Sequence, residues 1–481
     1  MTDDFEARYL AVESRDARFD GRIFVAVTST KIYCRPVCPA LMPKRSNVRF
    51  YRHAAVAELA GFRPCRRCRP ESSPDSPEWD TRGDLVGRGL RLIADGVADR
   101  HGSTELSRRL GVSPRHLQRV FKAEVGATPG VIARSRRAKL ARQLLAESDL
   151  PITQVAFVAG FSSVRAFNET MQKLYKVTPS ELRRGHSAPP GTLALRLNYR
   201  PPLQTASLMG FLAARAIPGV EEVTIDSYRR SIRFGSGSSI VELQPVDGQA
   251  FALKLETDRV GPLAHLVQQA RRLLDLDADP EIVDGNLSSS RVLAPLIRRN
   301  PGLRLPGAFD GFELGVRAIL GQQVSVAGAS TTAGRFVAMV GEQISEPNGT
   351  ITSLFPTPAQ TAKADLEKLG VPRRRKDTIR AFAAAVSAGE VVLDGSVEPD
   401  HAREQLLRLP GIGPWTAEYI AMRSLRDPDA FPATDLGVRH ALEALGVTGI
   451  SPRALSEEWR PWRGYAAMHL WESLNPARAS R

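Results

Sequence analysis

Apolar residues over 103–125 and 152–174 fall into short helical periods separated by small or polar turns. Leu106 and Leu110 line one helix, Gly111-Val112 makes a turn, and Ser113-Pro114 caps the next helix. On that next helix Leu117, Val120 and Phe121 fall on an inward face, leaving Arg115, His116, Gln118, Arg119 and Lys122 outward. The same layout repeats over 152–174, where Ala156 precedes a turn at Gly160 and Ser162-Ser163 opens a helix carrying Phe167. From 192 to 275 the pattern changes. Runs of period two at Leu193–Tyr199, Ser231–Phe234, Ile240–Pro245 and Ala250–Glu256 predict strands of one antiparallel sheet. Thr205–Arg215 and Pro262–Leu274 read as helices beside it. From Asp310 onward the spacing predicts helices nearly throughout, including His401–Arg408 and Trp415–Arg423 joined by the glycine hairpin Leu409-Pro410-Gly411-Ile412-Gly413. The fold class expected is a multidomain α+β chain. It comprises a small domain at 1–70, a Pro/Ser-rich linker at 71–82, an all-α double helix-turn-helix at 83–186, an α+β sheet module at 192–305, and an all-α domain at 306–481.

With 481 residues, the chain is too long for one core, and no apolar run is long enough to span a membrane. Its N-terminus lacks the basic start and apolar run of a signal peptide, so a cytoplasmic protein is expected. The net charge of +14 is uneven. Residues 1–190 hold 33 Lys and Arg against 20 Asp and Glu, whereas the rest of the chain holds 33 against 32. Basic charge gathered in one segment is either a solvated surface or the footprint of a polyanion. Outward-facing recognition helices favour the second reading, with double-stranded DNA as the partner.

All four cysteines lie early, as Cys34-Arg-Pro-Val-Cys38 and Cys65-Arg-Arg-Cys68. Two such pairs can place four thiolates around one Zn(2+). Most sites of this composition are structural, and the spacing alone does not say otherwise. The surrounding residues do. Ile32-Tyr33-Cys34-Arg35-Pro36-Val37-Cys38 and Gly61-Phe62-Arg63-Pro64-Cys65-Arg66-Arg67-Cys68 resemble the N-terminal domain of the Ada family of methyl acceptors. The resemblance implies that Cys34 takes a methyl group from a DNA methylphosphotriester. Lys31, Arg35, Lys44, Arg45, Arg63, Arg66, Arg67 and Arg69 are candidate phosphate contacts. Ada proteins often carry a second methyltransferase with its own reactive cysteine, and no cysteine follows Cys68 here.

The two helix-turn-helix units resemble an AraC-type DNA-binding domain, with Arg115, His116 and Arg119 on the first recognition helix. The passages "GFLAARA", "LPGAFDGFELGVRAILGQQVSVA", "LRLPGIGPWTAEYIAMR" and "WRPWRGYAAMHLW" resemble the AlkA-type 3-methyladenine DNA glycosylases, across about 192–475. That resemblance implies Asp435 as the catalytic carboxylate and Trp415, Tyr419 and Trp471 as pocket aromatics. It further implies Phe211 and Arg215 as pocket-side residues, while the hairpin glycines Gly411 and Gly413 by themselves let backbone amides approach a DNA phosphate at the second helix N-terminus. The carbonyls of Leu407, Leu409 and Ile412 are implied to hold a structural monovalent or divalent cation. Read on its own, Asp435 can equally be the N-cap of the helix that follows, and both roles are compatible. Gln323 stands where the family often places an apolar wedge, and Leu436 where a member can carry an aromatic. Bifunctional relatives place a Schiff-base lysine at the hairpin position held here by Trp415, so a monofunctional hydrolase is expected. A rival expectation, a transcription regulator whose C-terminal half only binds DNA, is disfavoured by the presence of Asp435 and both tryptophans. With no heptad run and no large apolar stripe, a monomer is expected.

Overall fold

The computed structural model describes residues 5–15, 19, 23–51, 53–68, 70, 85–183, 192–247, 249–256, 261 and 263–475. The linker at 71–82, the boundary at 187–191 and Arg69 lie outside them. Two compact units are present: 1–201 with 234–236 and 246–268, and 202–233 with 237–245 and 269–481.

In the first unit, strands β1 (Phe24–Val27), β2 (Ile32–Cys34), β3 (Val48–Tyr51) and β4 (Arg63–Pro64) form a sheet of order β3-β1-β2-β4. Strand alternation divides the apolar residues between two small cores. Val25 joins Tyr9, Val12, Val48 and the four cysteines on one side. Phe24 and Ala26 join Tyr33, Ala57 and Phe62 on the other. The parallel pairing of β2 with β4, Ile32 opposite Arg63 and Tyr33 opposite Pro64, is what brings the distant cysteine pairs side by side.

Helices Leu85–Ala94, Val97–Arg109, Pro114–Glu124, Pro129–Glu147, Ile152–Val158, Val164–Tyr175 and Pro179–Arg183 follow. Leu106, Leu110, Leu117 and Phe121 meet Val86, Leu90 and Ile93 in one core. Burying a side chain such as Phe121 contributes about 1.5–3 kcal/mol. Both predicted caps are present: Ser113 accepts from the His116 amide and Ser163 from the Ala166 amide, each at 3.2 Å. The turn before the second recognition helix needs glycine. Gly160 has φ +95°, and a Cβ there would stand 2.9 Å from the Asp99 carboxylate.

Five strands come next, β5 (Thr192–Asn198), β6 (Glu221–Val223), β7 (Tyr228–Phe234), β8 (Gly237–Val246) and β9 (Ala250–Glu256): β5 pairs antiparallel with β9 in the first unit, and β8, β7 and β6 neighbour one another in that order in the second. Four of the five were expected. β6 has three residues, two of them glutamates, and carries no apolar alternation.

The second unit is mainly helical. Gly311–Leu320, Val326–Val340, Arg373–Ala388, Pro399–Leu407 and Pro414–Arg423 enclose a core of Val316, Ile319, Phe336, Phe382, Leu406 and Ile420. Gly315 allows the Phe382 ring to approach, since a Cβ there would be 2.2 Å from it. The expectation of helix nearly throughout is corrected at one place. β10 (Glu342–Asn348) and β11 (Ile351–Leu354) form a hairpin, closed by Asn348 opposite Ile351 with Gly349 at φ +65°. Its first strand is polar and exposed, so burial leaves no periodic trace in it. No helix among the described residues is long and apolar enough to cross a membrane.

Candidate active site and metal centre

The four cysteines converge. Their sulfurs all lie within 4.8 Å of one another and all four residues are buried. Tetrahedral zinc–thiolate bonds of about 2.3 Å need sulfurs roughly 3.8 Å apart, so this spacing fits Zn(2+). The chemistry fits too. Four buried thiolates this close repel one another, and a cation among them compensates that charge. The Arg35 amide donates to Cys68 Sγ at 3.3 Å and the Cys65 amide to the Tyr33 carbonyl at 2.9 Å, tying the two knuckles together. Of the basic residues around the site, Lys31, Lys44, Arg45, Arg66 and Arg67 are exposed, and Arg35 and Arg63 half-buried. Arg66 also donates to the Tyr175 carbonyl at 3.4 Å.

On helix Pro114–Glu124, Arg115, His116 and Arg119 are exposed, the last two in contact at 3.2 Å. The equivalent helix Val164–Tyr175 presents Arg165, paired with Glu169 at 2.8 Å.

In the second unit a cleft of about 1190 Å³ gathers Phe211, Arg215, Gln323, Gly411, Gly413, Trp415, Tyr419, Asp435 and Trp471, residues up to 260 positions apart in the chain. Asp435 is the N-cap of helix Leu436–Ala444, and its Oδ1 accepts from the Val438 amide at 3.0 Å. The same oxygen accepts from Trp471 Nε1 at 2.8 Å, and Oδ2 accepts from Trp415 Nε1 at 2.8 Å. The capping carboxylate is thus fixed from three directions within the cleft. Gly437 keeps this corner small: a Cβ there would meet Asp435 Oδ1 and Trp471 Cδ1, each at 3.0 Å. Trp415 and Tyr419, one turn apart on helix Pro414–Arg423, stack at 5.4 Å with 13° between planes. Trp471 stands 6.4 Å from Tyr419, tilted by 52°.

Helix Pro414–Arg423 begins at Gly413, around which a Cβ would meet nothing within 4 Å, leaving its N-terminal amides accessible to an anion. Gly411 is required by conformation and by space, with φ +85° and Thr378 Oγ1 only 2.0 Å from where a Cβ would sit. Gln323 is exposed with φ +58°, at the cleft rim beside exposed Val324. Leu436 lines the cleft and is 57% exposed.

Two supports escaped the sequence reading. Gln322 donates to the Gly411 carbonyl and to Thr416 Oγ1, each at 3.0 Å, and accepts at its carbonyl from Arg375 at 2.7 Å. Arg423, one turn after Tyr419, donates to the Tyr419 hydroxyl at 2.8 Å and to the Gly307 carbonyl at 3.0 Å. Its i,i+4 spacing from Tyr419 was the available signal. Burial pushes the Tyr419 phenol up, but Arg423, Arg215 and Arg317 outweigh it and the net shift is downward. Burial in turn pushes Arg423 down to about 10.

Four family profiles match in succession: the metal binding domain of Ada over 7–71, a helix-turn-helix domain over 106–185, the AlkA N-terminal domain over 194–310, and the HhH-GPD superfamily of base excision DNA repair proteins over 316–463. The 3-methyladenine DNA glycosylase of Archaeoglobus fulgidus superposes with a TM-score of 0.50 at 22% identity, covering 58% of this chain and 97% of that one. Fold and site thus define a helix-hairpin-helix base-excision protein joined to a metal-binding and a DNA-binding module. The "DNA-3-methyladenine glycosylase 2" of Escherichia coli is 36% identical over 57% of the chain and 95% of its own length. The "Probable bifunctional transcriptional activator/DNA repair enzyme AlkA" of Mycobacterium tuberculosis is 47% identical over 98% of the chain and 97% of its own length. The chain belongs to this family of AlkA-type bifunctional transcriptional activator/DNA repair enzymes.

Proposed function

We propose that the second unit is a monofunctional glycosylase that releases alkylated bases such as 3-methyladenine from double-stranded DNA, with Asp435 as its catalytic carboxylate. The supporting observation is the Asp435 carboxylate held by the Trp415 and Trp471 indoles in the aromatic cleft. A base must leave the helix before its glycosidic bond is reachable, and the Trp415–Tyr419 pair offers it a stacking face. A cationic alkylated purine gains about 0.5–2 kcal/mol from such faces and is already an activated leaving group. The C1′–N bond breaks with its electron pair leaving on the base, water supplies hydroxide to C1′, and one proton is released. Asp435 stabilises the positive charge developing on the sugar, and Trp415 at the hairpin leaves no lysine there for strand cleavage. Gln323 at the rim fills the gap left by the base, and the Gly411–Gly413 amides take a backbone phosphate. Leu409 O accepts from the Ile412 amide at 3.2 Å and keeps a second lone pair, so with Leu407 and Ile412 it suits a structural cation.

In the first unit, Cys34, Cys38, Cys65 and Cys68 hold Zn(2+), which keeps Cys34 as a thiolate at neutral pH. The Cys34 sulfur attacks the methyl carbon of a methylphosphotriester, forming S–CH₃ and leaving a phosphodiester anion. Methylation removes the charge of one thiolate, which at about 8 Å from a phosphate is worth about 2 kcal/mol before screening. Arg115, His116 and Arg119 read DNA next to this sensor. The protein acts as a cytoplasmic monomer.

Base release from methylated duplex DNA, natural protein against Asp435→Asn, tests the reading. Release that falls about 10²–10³-fold in the variant with DNA binding retained supports it. No release from either, with binding intact, leaves a regulator whose C-terminal half only clamps DNA.

A further inference from the structure

Trp415, Tyr419 and Arg423 recur every four residues along one face of helix Pro414–Arg423, spanning about 12 Å. Asp435 is bonded to the Trp415 end. A base whose sugar-bearing nitrogen lies near Asp435 therefore turns its opposite edge toward the Tyr419–Arg423 end. That end holds donors. Arg423, 4% exposed, donates to the Tyr419 hydroxyl at 2.8 Å, and its guanidinium also lies 4.8 Å over the Phe211 ring. Arg215 stands 3.7 Å over the same ring. Arginine has no acceptor, so the Tyr419 oxygen gives a lone pair to Arg423 and its own proton must be donated elsewhere. Among the described residues no side chain or carbonyl accepts that proton. The carboxylates that line this part of the cleft are engaged: Glu313 with Arg230 and Arg317, Glu221 with Arg317 at 3.1 Å and with the Ile217 amide at 2.9 Å.

We propose that Arg423 is a specificity-determining positioning residue: it fixes the Tyr419 hydroxyl as a donor, so the cleft prefers damaged purines whose position 6, on the edge opposite the sugar, carries a carbonyl oxygen over those that carry an amino group there. The inference rests on the glycosylase reading above. An amino group at that edge would meet a donor-only wall, and leaving its N–H groups and the hydroxyl proton unpaired is costly in a buried site. The aromatic faces attract both kinds of cationic purine and do not discriminate between them.

The test uses methylated duplex DNA and compares release of 3-methylguanine and 3-methyladenine. Both are cationic and methylated at the same nitrogen, but at position 6 of that edge they carry a carbonyl and an amino group, respectively. The ratio of their rates is independent of how much protein is folded, which matters because Arg423 also ties down the Pro306 and Gly307 carbonyls. Tyr419→Phe removes the donor and should lower the ratio about tenfold, as one hydrogen bond commands. Arg423→Met made together with Arg215→Met, since Arg215 also bonds the Tyr419 hydroxyl, frees the hydroxyl to accept from the amino group and should lower the ratio by a similar factor, whereas Arg423→Lys, which keeps a donor, should preserve most of it. The double variant Tyr419→Phe, Arg423→Met should fall no further than Tyr419→Phe alone, because Arg423 acts through the hydroxyl. A ratio unchanged within twofold in Tyr419→Phe or in the paired arginine variant, or additive losses in the double, overturns the proposal while leaving the glycosylase reading intact. Failure of the natural protein to release either base overturns both.

Discussion

The zinc centre and the base cleft solve opposite problems with opposite means. Four cysteine sulfurs converge in the first, within 4.8 Å of one another, and as thiolates they repel. Holding the site together falls to a metal. In the cleft one carboxylate is held by three N–H donors from the chain itself, two indoles and a backbone amide. That site is finished by folding alone. The contrast matches their uses. A thiolate that accepts a methyl group is spent by one reaction, so its environment need only keep it charged. On the proposed reading Asp435 must return unchanged after every turnover, which suits a position fixed from several sides.

The largest effect should therefore come from taking the metal away. Structural zinc contributes about 10–16 kcal/mol to small domains of this kind. Chelation or Cys38→Ala should unfold the segment around β1–β4 and abolish methyl transfer to Cys34, with base release unchanged. Zinc content, methyl uptake and base release read side by side would decide it, and parallel loss of base release would break the contrast. Acid should strike the second unit through a smaller, separate lever. His469 is 1% exposed and burial pushes it down to about 4, from an ordinary 6.5. A depressed folded value means the neutral ring is favoured by folding. The corresponding stability is whole above pH 6.5 and is lost as pH falls toward 4, about 3 kcal/mol in all. Thermal melts across that window should show the natural protein losing stability more steeply than His469→Leu as pH falls, and equal slopes for the two would remove His469 from the account.

The two regions also differed in how far the sequence disclosed them. The cysteine pairs stand out because each is local, and β2 beside β4 only had to bring two short segments together. Both recognition helices were readable from a serine cap, a glycine turn and an inward apolar stripe, all within one or two turns of each other. Nothing local announces the cleft, whose residues run from Phe211 to Trp471; it was found by resemblance around the hairpin and Asp435. Arg423 and Gln322 were missed because a buried arginine or glutamine that holds a neighbour looks like any polar residue until its partner is known. The β10–β11 hairpin was missed for a different reason. Asn348-Gly349 is a turn signal, but the polar strand before it has no buried face to impose alternation.

Gly411→Ala sharpens the comparison from the cleft side. A residue with a Cβ at φ +85° is strained, and Thr378, 3% exposed and bonded to the Arg374 carbonyl, has little room to yield. A loss of about 2 kcal/mol in the second unit is expected, with weaker DNA binding and a Cys34 methyl uptake equal to the natural protein's. Stability unchanged by the substitution would mean that the hairpin relaxes freely and is not the rigid phosphate cradle described.

The smallest effect tests whether DNA reading in the first unit stands apart from both chemical sites. Ser113 Oγ accepts the His116 amide at the start of helix Pro114–Glu124, where Arg115 and His116 are exposed. Ser113→Ala should cost about 1 kcal/mol and let that first turn fray, since one helical N–H loses its partner. Fraying there displaces the side chains that approach DNA, so affinity for a bound sequence should fall several-fold while zinc content and base release stay as they were. Ser113→Thr keeps an oxygen at the same place and should restore most of the affinity. If the threonine variant binds as weakly as the alanine one, the serine touches DNA itself, and its role in the first unit is contact, not capping.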